Sequence, residues 1–240
     1  PDATEQWQSV TWGEAGEIVD RLAAGLIALG VKHQQRVGIA SGTRYEWVLA
    51  DLAIMCAGAA TTTVYPSTMA DDVAYILSDS ESQVVFAEDQ SQVAKLVEQR
   101  AAIPAVSKVV VLDNSVAVDD RDGWIITFEQ LESIGRDHLA QNPRVVDEAV
   151  EAIRPEHLAT LIYTYGTTGR PKGMRLRHSS WTYEGAAMQA EDILSEEDLQ
   201  FLWLPLAHSF GKVLLSTQMA IGFPTAIDGR VDKIVENLGI

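Results

Sequence analysis

Residues 161 to 173 read Leu-Ile-Tyr-Thr-Tyr-Gly-Thr-Thr-Gly-Arg-Pro-Lys-Gly and contain three glycines, three threonines and one lysine. A β-prone run from Ala159 to Tyr163 leads into a segment rich in glycine and threonine, in which no regular element can persist. Glycines permit positive φ and a close approach of the main chain to a ligand. Hydroxyl groups, an ammonium group and consecutive backbone N–H groups are donors suited to phosphate oxygens. The stretch therefore predicts a strand followed by an anion-binding loop.

Two common phosphate-binding patterns do not fit this loop. In the P-loop pattern G-x-x-x-x-G-K-[ST], the second glycine would fall at Pro171 if counting began at Gly166, and the lysine at Arg175 if it began at Gly169. The dinucleotide fingerprint G-x-G-x-x-G requires one residue between its first two glycines, whereas two residues separate Gly166 from Gly169. The loop therefore belongs to another class.

The string from Tyr163 to Gly173 resembles the signature loop of adenylate-forming enzymes, written Tyr-Thr-Ser-Gly-Thr-Thr-Gly-x-Pro-Lys-Gly. Ten of the eleven positions match or are unconstrained. This superfamily contains acyl-CoA synthetases, luciferases and the adenylation domains of peptide synthetases. The resemblance implies that the loop holds the phosphates of ATP. The candidate cofactor-binding residues are Thr164, Tyr165, Gly166, Thr167, Thr168, Gly169 and Lys172.

Tyr165 departs from the signature, which has serine at this position. A phenol is far bulkier than a hydroxymethyl group, so we expect it to crowd the space for the pyrophosphate end of ATP. Tyr165 also leaves open a different class of protein, a non-catalytic nucleotide-binding or scaffold domain in which phosphate binding is lost or altered. A glycine-rich surface loop without a ligand is the remaining alternative.

The charge balance bears on the class of ligand. The chain carries a formal net charge of −16 and a pI near 4.6, so it would repel a polyanion, and we expect no nucleic-acid binding. ATP is also anionic and needs a locally positive site. Five basic residues follow the loop glycines closely enough to supply it: Arg170, Lys172, Arg175, Arg177 and His178.

Cysteine content and hydropathy indicate a cytoplasmic protein. The single cysteine, Cys56, lies in an apolar run and is expected to be a buried packing residue in a reducing compartment. The amino terminus lacks the pattern of a signal peptide. The uncharged run from Leu52 to Tyr65 is too short to span a bilayer, so at most peripheral membrane association is expected.

Strands and helices alternate along most of the chain, which indicates βαβ units and an α/β fold with a mostly parallel sheet flanked by helices. Thr11 and Glu14 form a capping-box pattern at the start of the first helix, which Gly30 is placed to end. We expect a first α/β subdomain over residues 1–150 and the start of a second over residues 151–240. The predicted strands are 36–40, 60–65, 83–87, 109–112, 159–163, 174–177, 199–204 and 225–227. Later predicted helices are 45–56, 71–77, 91–100, 127–139, 145–153, from Ser179 or Ser180 to 193, 209–221 and 231–238.

A second motif follows one of these strands. Residues 204–210 read Leu-Pro-Leu-Ala-His-Ser-Phe and place His208 at a strand's carboxyl end, where α/β folds position ligands. An isolated histidine is more often structural. This motif, however, resembles the Leu-Pro-Leu-Ala-His-x-Phe sequence that lines the carboxylate and acyl side of the site in acyl-CoA synthetases, which makes His208 the candidate catalytic residue. Segments 10–14, 35–39, 45–47 and 64–67 resemble the opening of long-chain fatty acyl-CoA synthetases.

The resemblance also implies a reaction. A carboxylate attacks the α-phosphorus of ATP, with Mg²⁺ bound to the nucleotide, and the resulting acyl adenylate acylates the thiol of coenzyme A. The later motifs of the family are absent before Ile240. We therefore expect the chain to be a partial large N-terminal domain of a long-chain fatty acid–CoA ligase, inactive alone and completed by the C-terminal part of the same enzyme. An acyl-AMP ligase or another adenylation domain is the alternative within the superfamily.

Overall fold

The computed structural model describes residues 6–113, 116, 122–164 and 169–239. Helices and strands alternate through most of this part, as predicted. In chain order they are α1 (Trp12–Ala28), β1 (Arg36–Ala40), α2 (Tyr45–Cys56), β2 (Ala60–Val64), α3 (Ala70–Asp79), β3 (Ser82–Ala87), α4 (Gln90–Glu98), β4 (Lys108–Val111), β5 (Ile125–Thr127), α5 (Phe128–Gln141), α6 (Val145–Glu151), β6 (Leu158–Thr164), β7 (Lys172–Arg177), α7 (His178–Ala190), β8 (Gln200–Leu202), α8 (Ser209–Ile221), β9 (Thr225–Ile227) and α9 (Ile234–Asn237).

Seven of the described strands form one sheet in the order β5-β4-β3-β1-β2-β6-β7. All neighbouring pairs are parallel except β6 and β7, which are antiparallel. The inner strands are buried almost throughout: every residue of β2 is buried, and so are the last four of β3. Strands buried on both faces are typical of parallel sheets covered by helices. The predicted α/β class and the mostly parallel sheet are confirmed.

Helices α1, α2 and α5 pack on one face of this sheet, and α3 and α4 pack on the other. The crossing of α1 and α5 depends on glycine, since a Cβ at Gly135 would lie 1.7 Å from the carbonyl oxygen of Arg21. A Cβ at Gly25 would lie 2.6 Å from the carbonyl oxygen of Leu131. The two helix backbones therefore approach more closely than any side chain at these positions would allow.

Residues after β7 add two packed helices and a second, smaller sheet. Helices α7 and α8 pack together, and β8 and β9 form a separate two-stranded parallel sheet. The predicted boundary after residue 150 assigns β6 to the second subdomain, yet β6 is hydrogen-bonded to β2 of the first. The division into two subdomains stays a prediction.

Local details differ from expectation in three places. Strand β5 was not predicted, the cap at Ser179 or Ser180 is wrong because α7 begins at His178, and residues 231–238 form a 3₁₀ turn followed by a four-residue helix. The capping box is confirmed: Glu14 N donates to Thr11 Oγ1 at 3.2 Å, and Thr11 N donates to Glu14 Oε2 at 2.8 Å.

Cys56 is only partly buried, and burial raises the pKa of its thiol to about 11. None of the described helices is long and apolar enough to cross a membrane.

Candidate functional site

The predicted phosphate loop is closed at its base by the antiparallel pair β6–β7. Thr164 lies opposite Lys172, and Tyr163 lies opposite Gly173. Thr164 and Lys172 are both exposed at the open end of this hairpin. The predicted binding residues Tyr165, Gly166, Thr167 and Thr168 lie outside the described residues.

Two glycines of the loop serve different purposes. Gly169 has a φ of +120°, a conformation that residues with side chains rarely adopt, and no atom of the described residues lies within 4 Å of the position of a Cβ there. Gly173 instead makes room for a ring, since a Cβ there would lie 3.0 Å from Cζ of Tyr163. The expected positive φ is therefore confirmed at Gly169, whereas Gly173 is needed for close packing.

Helix α3 contacts the end of β6 and the residue Arg170 shortly before β7. The hydroxyl of Tyr163 donates to Oδ2 of Asp79 at 2.6 Å. Burial, together with this hydrogen bond to a carboxylate, raises the pKa of Tyr163. On the other side of the loop, the guanidinium of Arg170 lies 5.0 Å from the centroid of the Tyr75 ring. Tyr75 and Asp79 are one helical turn apart, so a single helix holds both sides.

The basic residues of β7 do not all lie on one face of the strand. Alternation along β7 places Lys172, Met174 and Leu176 on one face and Arg175 and Arg177 on the other. His178 is partly buried, and its pKa is lowered first by burial and then by nearby charged groups, so it is neutral at pH 7. Lys172 is thus the β7 cation that shares a face with the hairpin's apolar residues.

His208 is the N-cap residue of α8. Its Nδ1 accepts a hydrogen bond from the backbone N–H of Phe210 at 3.2 Å, which helps to begin the helix. Because Nδ1 must present a lone pair to this donor, the proton of the neutral imidazole lies on Nε2. The exposed ring therefore offers a donor to a ligand.

The turn between β8 and His208 is fastened to the first half of the chain. Thr43 Oγ1 donates to the carbonyl oxygen of Leu204 at 2.7 Å and accepts from the N–H of Leu206 at 3.0 Å. Thr63 Oγ1 donates to the carbonyl oxygen of Ala207 at 3.0 Å. Neither threonine could be identified from the sequence, because Thr63 resembles any β-branched packing residue of a buried strand and Thr43 resembles an ordinary turn residue between β1 and α2.

The hairpin and the turn meet at one cavity of about 230 Å³. Thr164 from the loop and His208 from the turn both line it, so the structure brings together two motifs that are 44 positions apart in the chain. Gly169 and Lys172 are not among its lining residues. The wall is mostly apolar and comprises Tyr65, Ile162, Tyr163, Thr164, Met174, Leu176, His208 and Ser209.

No group of three or more His, Cys, Asp or Glu side chains is placed to hold a metal ion within the described ranges. A Mg²⁺ cage built from protein side chains therefore does not fit this part of the chain. Mg²⁺ is commonly bound through substrate phosphates with few protein ligands, which is the arrangement that this site could accommodate.

Comparison with known proteins gives matches along almost the whole chain. A sequence profile described as "AMP-binding enzyme" matches residues 2–233. The long-chain-fatty-acid–CoA ligase FadD15 of Mycobacterium tuberculosis is 34% identical over 227 residues, which cover 92% of this chain and 36% of the relative. The long-chain-fatty-acid–CoA ligase heimdall of Drosophila melanogaster is 32% identical over 211 residues, covering 84% of this chain and 30% of the relative. The chain thus spans about a third of the length of these curated relatives.

Solved structures share the fold. The anthranilate CoA ligase AuaEII, in complex with anthranoyl-AMP, superposes with a TM-score of 0.80 at 20% identity, covering 96% of this chain and 42% of that one. A long-chain-fatty-acid–CoA ligase (FadD1) from Archaeoglobus fulgidus gives a TM-score of 0.77 at 21% identity, covering 98% and 44%. At such identities the likeness concerns the fold alone.

Proposed function

Because the chain belongs to the AMP-binding enzyme family, we propose that it carries the phosphate- and carboxylate-binding part of an ATP-dependent long-chain fatty acid–CoA ligase. The observation that supports this most directly is that Thr164 and His208 line the same cavity. Transfer between a carboxylate and a phosphate requires that groups binding each of them face one space, since positioning accounts for much of the rate enhancement.

The loop side would bind the triphosphate of ATP. The hydroxyl of Thr164 and the ammonium of Lys172 stand opposite each other at the mouth of the hairpin, where both are exposed. Gly166, Thr167, Thr168 and Gly169 would complete the phosphate site with backbone N–H groups and hydroxyls, and Tyr165 would lie among them. Mg²⁺ bound to the phosphates would neutralise charge on the departing pyrophosphate.

The turn side would bind the carboxylate. His208 carries its proton on Nε2 because Nδ1 accepts from Phe210, so the ring can donate a hydrogen bond to a carboxylate oxygen. The apolar side chains of Ile162, Met174 and Leu176 on the same wall suit an alkyl substrate. This role orients the nucleophile and does not require His208 to take up a proton.

The proposed reaction has two steps, adenylation of the carboxylate and transfer of the acyl group to coenzyme A. A carboxylate oxygen forms a bond to the α-phosphorus as the bond to the β-phosphate breaks, which releases pyrophosphate and leaves an acyl adenylate. The thiolate of coenzyme A next attacks the acyl carbonyl and AMP departs. Backbone N–H groups, hydroxyls and the ammonium of Lys172 would act where negative charge develops, an arrangement that lowers such barriers.

A further part of the same enzyme is the proposed partner. Large apolar side chains are exposed along one short segment after β9: Val231 is 73%, Val235 86% and Leu238 67% exposed. Exposed apolar clusters mark interaction surfaces more often than scattered single residues do. Since the curated relatives are about three times as long as this chain, we propose that additional polypeptide covers this segment. We place the enzyme in the cytoplasm, as its composition predicts.

The test uses the purified chain with ATP, Mg²⁺ and palmitate. We expect measurable ATP binding by calorimetry. We expect no palmitate-dependent release of pyrophosphate, because the later motifs that complete the reaction in this family do not occur in this sequence. A folded chain that does not bind ATP at millimolar concentration would overturn the proposed phosphate site. Pyrophosphate release that depends on palmitate would show that the chain is sufficient for the first step.

A further inference from the structure

Two oppositely charged side chains are buried together between α2 and α8. Nζ of Lys212 lies 2.5 Å from Oδ2 of Asp51, and the two side chains are 2% and 0% exposed. Charged groups are rarely buried unless paired, because removing each from water costs several kcal/mol. Such a pair is weak evidence for stability, which raises the question of what else it does.

Both members of the pair have further partners. The second carboxylate oxygen of Asp51 accepts from Thr61 Oγ1 at 2.7 Å. Nζ of Lys212 lies 5.7 Å from the ring centroid of Trp47 and 5.3 Å from that of Trp181, so the ammonium faces two aromatic rings in addition to the carboxylate. The pair therefore holds one specific geometry between α2, α7 and α8.

Lys212 sits one helical turn after His208, and its backbone N–H donates to the carbonyl oxygen of His208 at 3.3 Å. A displacement of α8 at Lys212 would consequently move the imidazole. The same helix approaches the preceding turn closely, since a Cβ at Gly211 would lie 2.4 Å from the carbonyl oxygen of Pro205. The turn and the first part of α8 therefore move together.

Strand β2 supplies the other half of this attachment. Thr61 and Thr63 point to the same face of the strand because they are two positions apart. Thr63 binds the carbonyl oxygen of Ala207, directly before His208, while Thr61 binds Asp51, the partner of Lys212. His208 thus lies between two attachments that both lead back to β2.

We infer that the Lys212–Asp51 ion pair is a positioning device for His208, which fixes the start of α8 and so the place of the imidazole at the cavity. The importance of that place for a carboxylate rests on the proposed function, whereas the positioning itself does not. Lys212 and Asp51 are positioning residues because neither lines the cavity.

The experiment compares Asp51→Asn and Lys212→Met with Arg144→Met in the 240-residue chain. The control removes a cation from an exposed pair, since Arg144 and its partner Glu151 are 62% and 67% exposed. Two readouts by NMR report locally: hydrogen exchange of the Leu206 amide, and the imidazole ¹⁵N shifts of His208, with the amide of Val85 in β3 as the reference for global opening.

We expect exchange at Leu206 to accelerate about tenfold or more in Asp51→Asn and Lys212→Met, with a change in the His208 shifts and little change at Val85. Arg144→Met should behave as the wild type. The inference is overturned if a folded variant of the pair keeps the wild-type values at Leu206 and His208, or if Val85 accelerates equally. It is also overturned if neither variant folds, because the pair would then serve the whole fold. If only one folds, that variant decides.

Neither readout needs ATP or a fatty acid, so a negative result leaves the proposed function standing, and loss of ATP binding would leave this inference standing.

Discussion

The phenol of Tyr163 and the carboxylate of Asp79 are joined by a 2.6 Å hydrogen bond that spans 84 positions of the chain. Tyr163 is the last buried residue of β6 before the loop, and Asp79 is the last residue of α3. The bond therefore ties the base of the predicted phosphate loop to the end of α3. The β6–β7 pair below the loop, here called the stem, is thereby held against α3.

Replacing Tyr163 by phenylalanine should loosen this stem. The ring stays and keeps its contact with Gly173, but the hydrogen bond is lost, so we expect a loss of about 1 kcal/mol in the free energy of unfolding, given that Asp79 is exposed. ATP affinity should fall as well, because the loop base is less well held. Urea denaturation and calorimetry measure the two effects. Tyr183→Phe, at a side chain 71% exposed on α7, is the control and should change neither. Unchanged stability and affinity in Tyr163→Phe would contradict the anchoring role.

The two faces of β7 give a matched pair of charge deletions. Lys172 shares its face with the cavity residues Met174 and Leu176, whereas Arg175 points the opposite way. We expect Lys172→Met to weaken ATP binding about tenfold or more, and Arg175→Met to weaken it far less, because a specific contact is lost in the first case and only general attraction in the second. Calorimetric titrations at two salt concentrations separate these contributions. Equal losses in the two variants would show that net charge alone governs binding.

Tyr165 offers a test of the unusual position in the loop. If its bulk obstructs an otherwise intact phosphate site, Tyr165→Ser should bind ATP more tightly than the wild type, and Tyr165→Phe should not. The phenylalanine variant retains the bulk and removes only the hydroxyl. Titration of ATP against the three proteins provides the measurement. Equal affinity in the serine variant and the wild type would count against obstruction and would favour a domain in which phosphate binding is altered for another reason.

Two glycine-to-alanine substitutions should have opposite signs. At Gly135 the new methyl group would collide with the carbonyl oxygen of Arg21, so α1 and α5 must separate, at a cost of about 2 kcal/mol or more. At Gly16, also in a helix, nothing in the described part of the chain lies within 4 Å of the added Cβ, and alanine should stabilise by about 0.5–1 kcal/mol through its better helix propensity. Thermal denaturation of both variants checks the pair. A stable Gly135→Ala protein would show that the helix crossing is not as close as described.

The stability of the fold should fall as the pH is lowered from 7 to 5. Burial, and then the nearby His157 and Lys212, lower the pKa of His178 below its ordinary value of 6.5. In that window the unfolded chain binds a proton that the folded chain does not, so stability decreases as the pH falls below 6.5. Some carboxylates have a lowered pKa in the folded chain, such as Asp228 with a pKa of about 2. Their contribution to the stability of the fold is lost only at more acidic pH. Urea midpoints at pH 7 and pH 5 should therefore differ less in His178→Asn than in the wild type. An equal difference between the two midpoints in both proteins would assign the pH dependence to other groups. The first of these to test is His33, whose pKa is also lowered.

Much of the secondary structure was predictable because local signals agree with one another. The bounds of β1 and α2 were predicted to the residue, since each is an apolar segment ended by turn residues. Strand β5 lies directly before a helix whose capping signal at Thr127 dominates the local pattern, and α9 is a single turn in which Val235 is exposed and Ile234 half-buried. In both cases the local pattern is weaker than the tertiary surroundings that decide the outcome.

The burial of Lys212 and Asp51 has a signal in the sequence, but their pairing has none. Each is a lone charge within an apolar helical stretch, Asp51 between Ala50 and Leu52 and Lys212 between Gly211 and Val213. A buried charge needs a partner of opposite sign. The signal for each residue was present, but nothing local indicates that two residues 161 positions apart would pair.

By itself, the sequence determined most of the strands and helices and the two motifs, the glycine-rich loop and the histidine turn, because propensity, periodicity and capping act over a few neighbouring residues. Only the tertiary structure decided that the loop and the turn share a cavity, that alternation on β7 separates Lys172 from Arg175 around it, and that Thr43, Thr63 and Asp51 hold the segment around His208. These relationships depend on β6 pairing with β2, and strand order is set by the burial of whole faces and the packing of helices, which no short stretch of residues encodes.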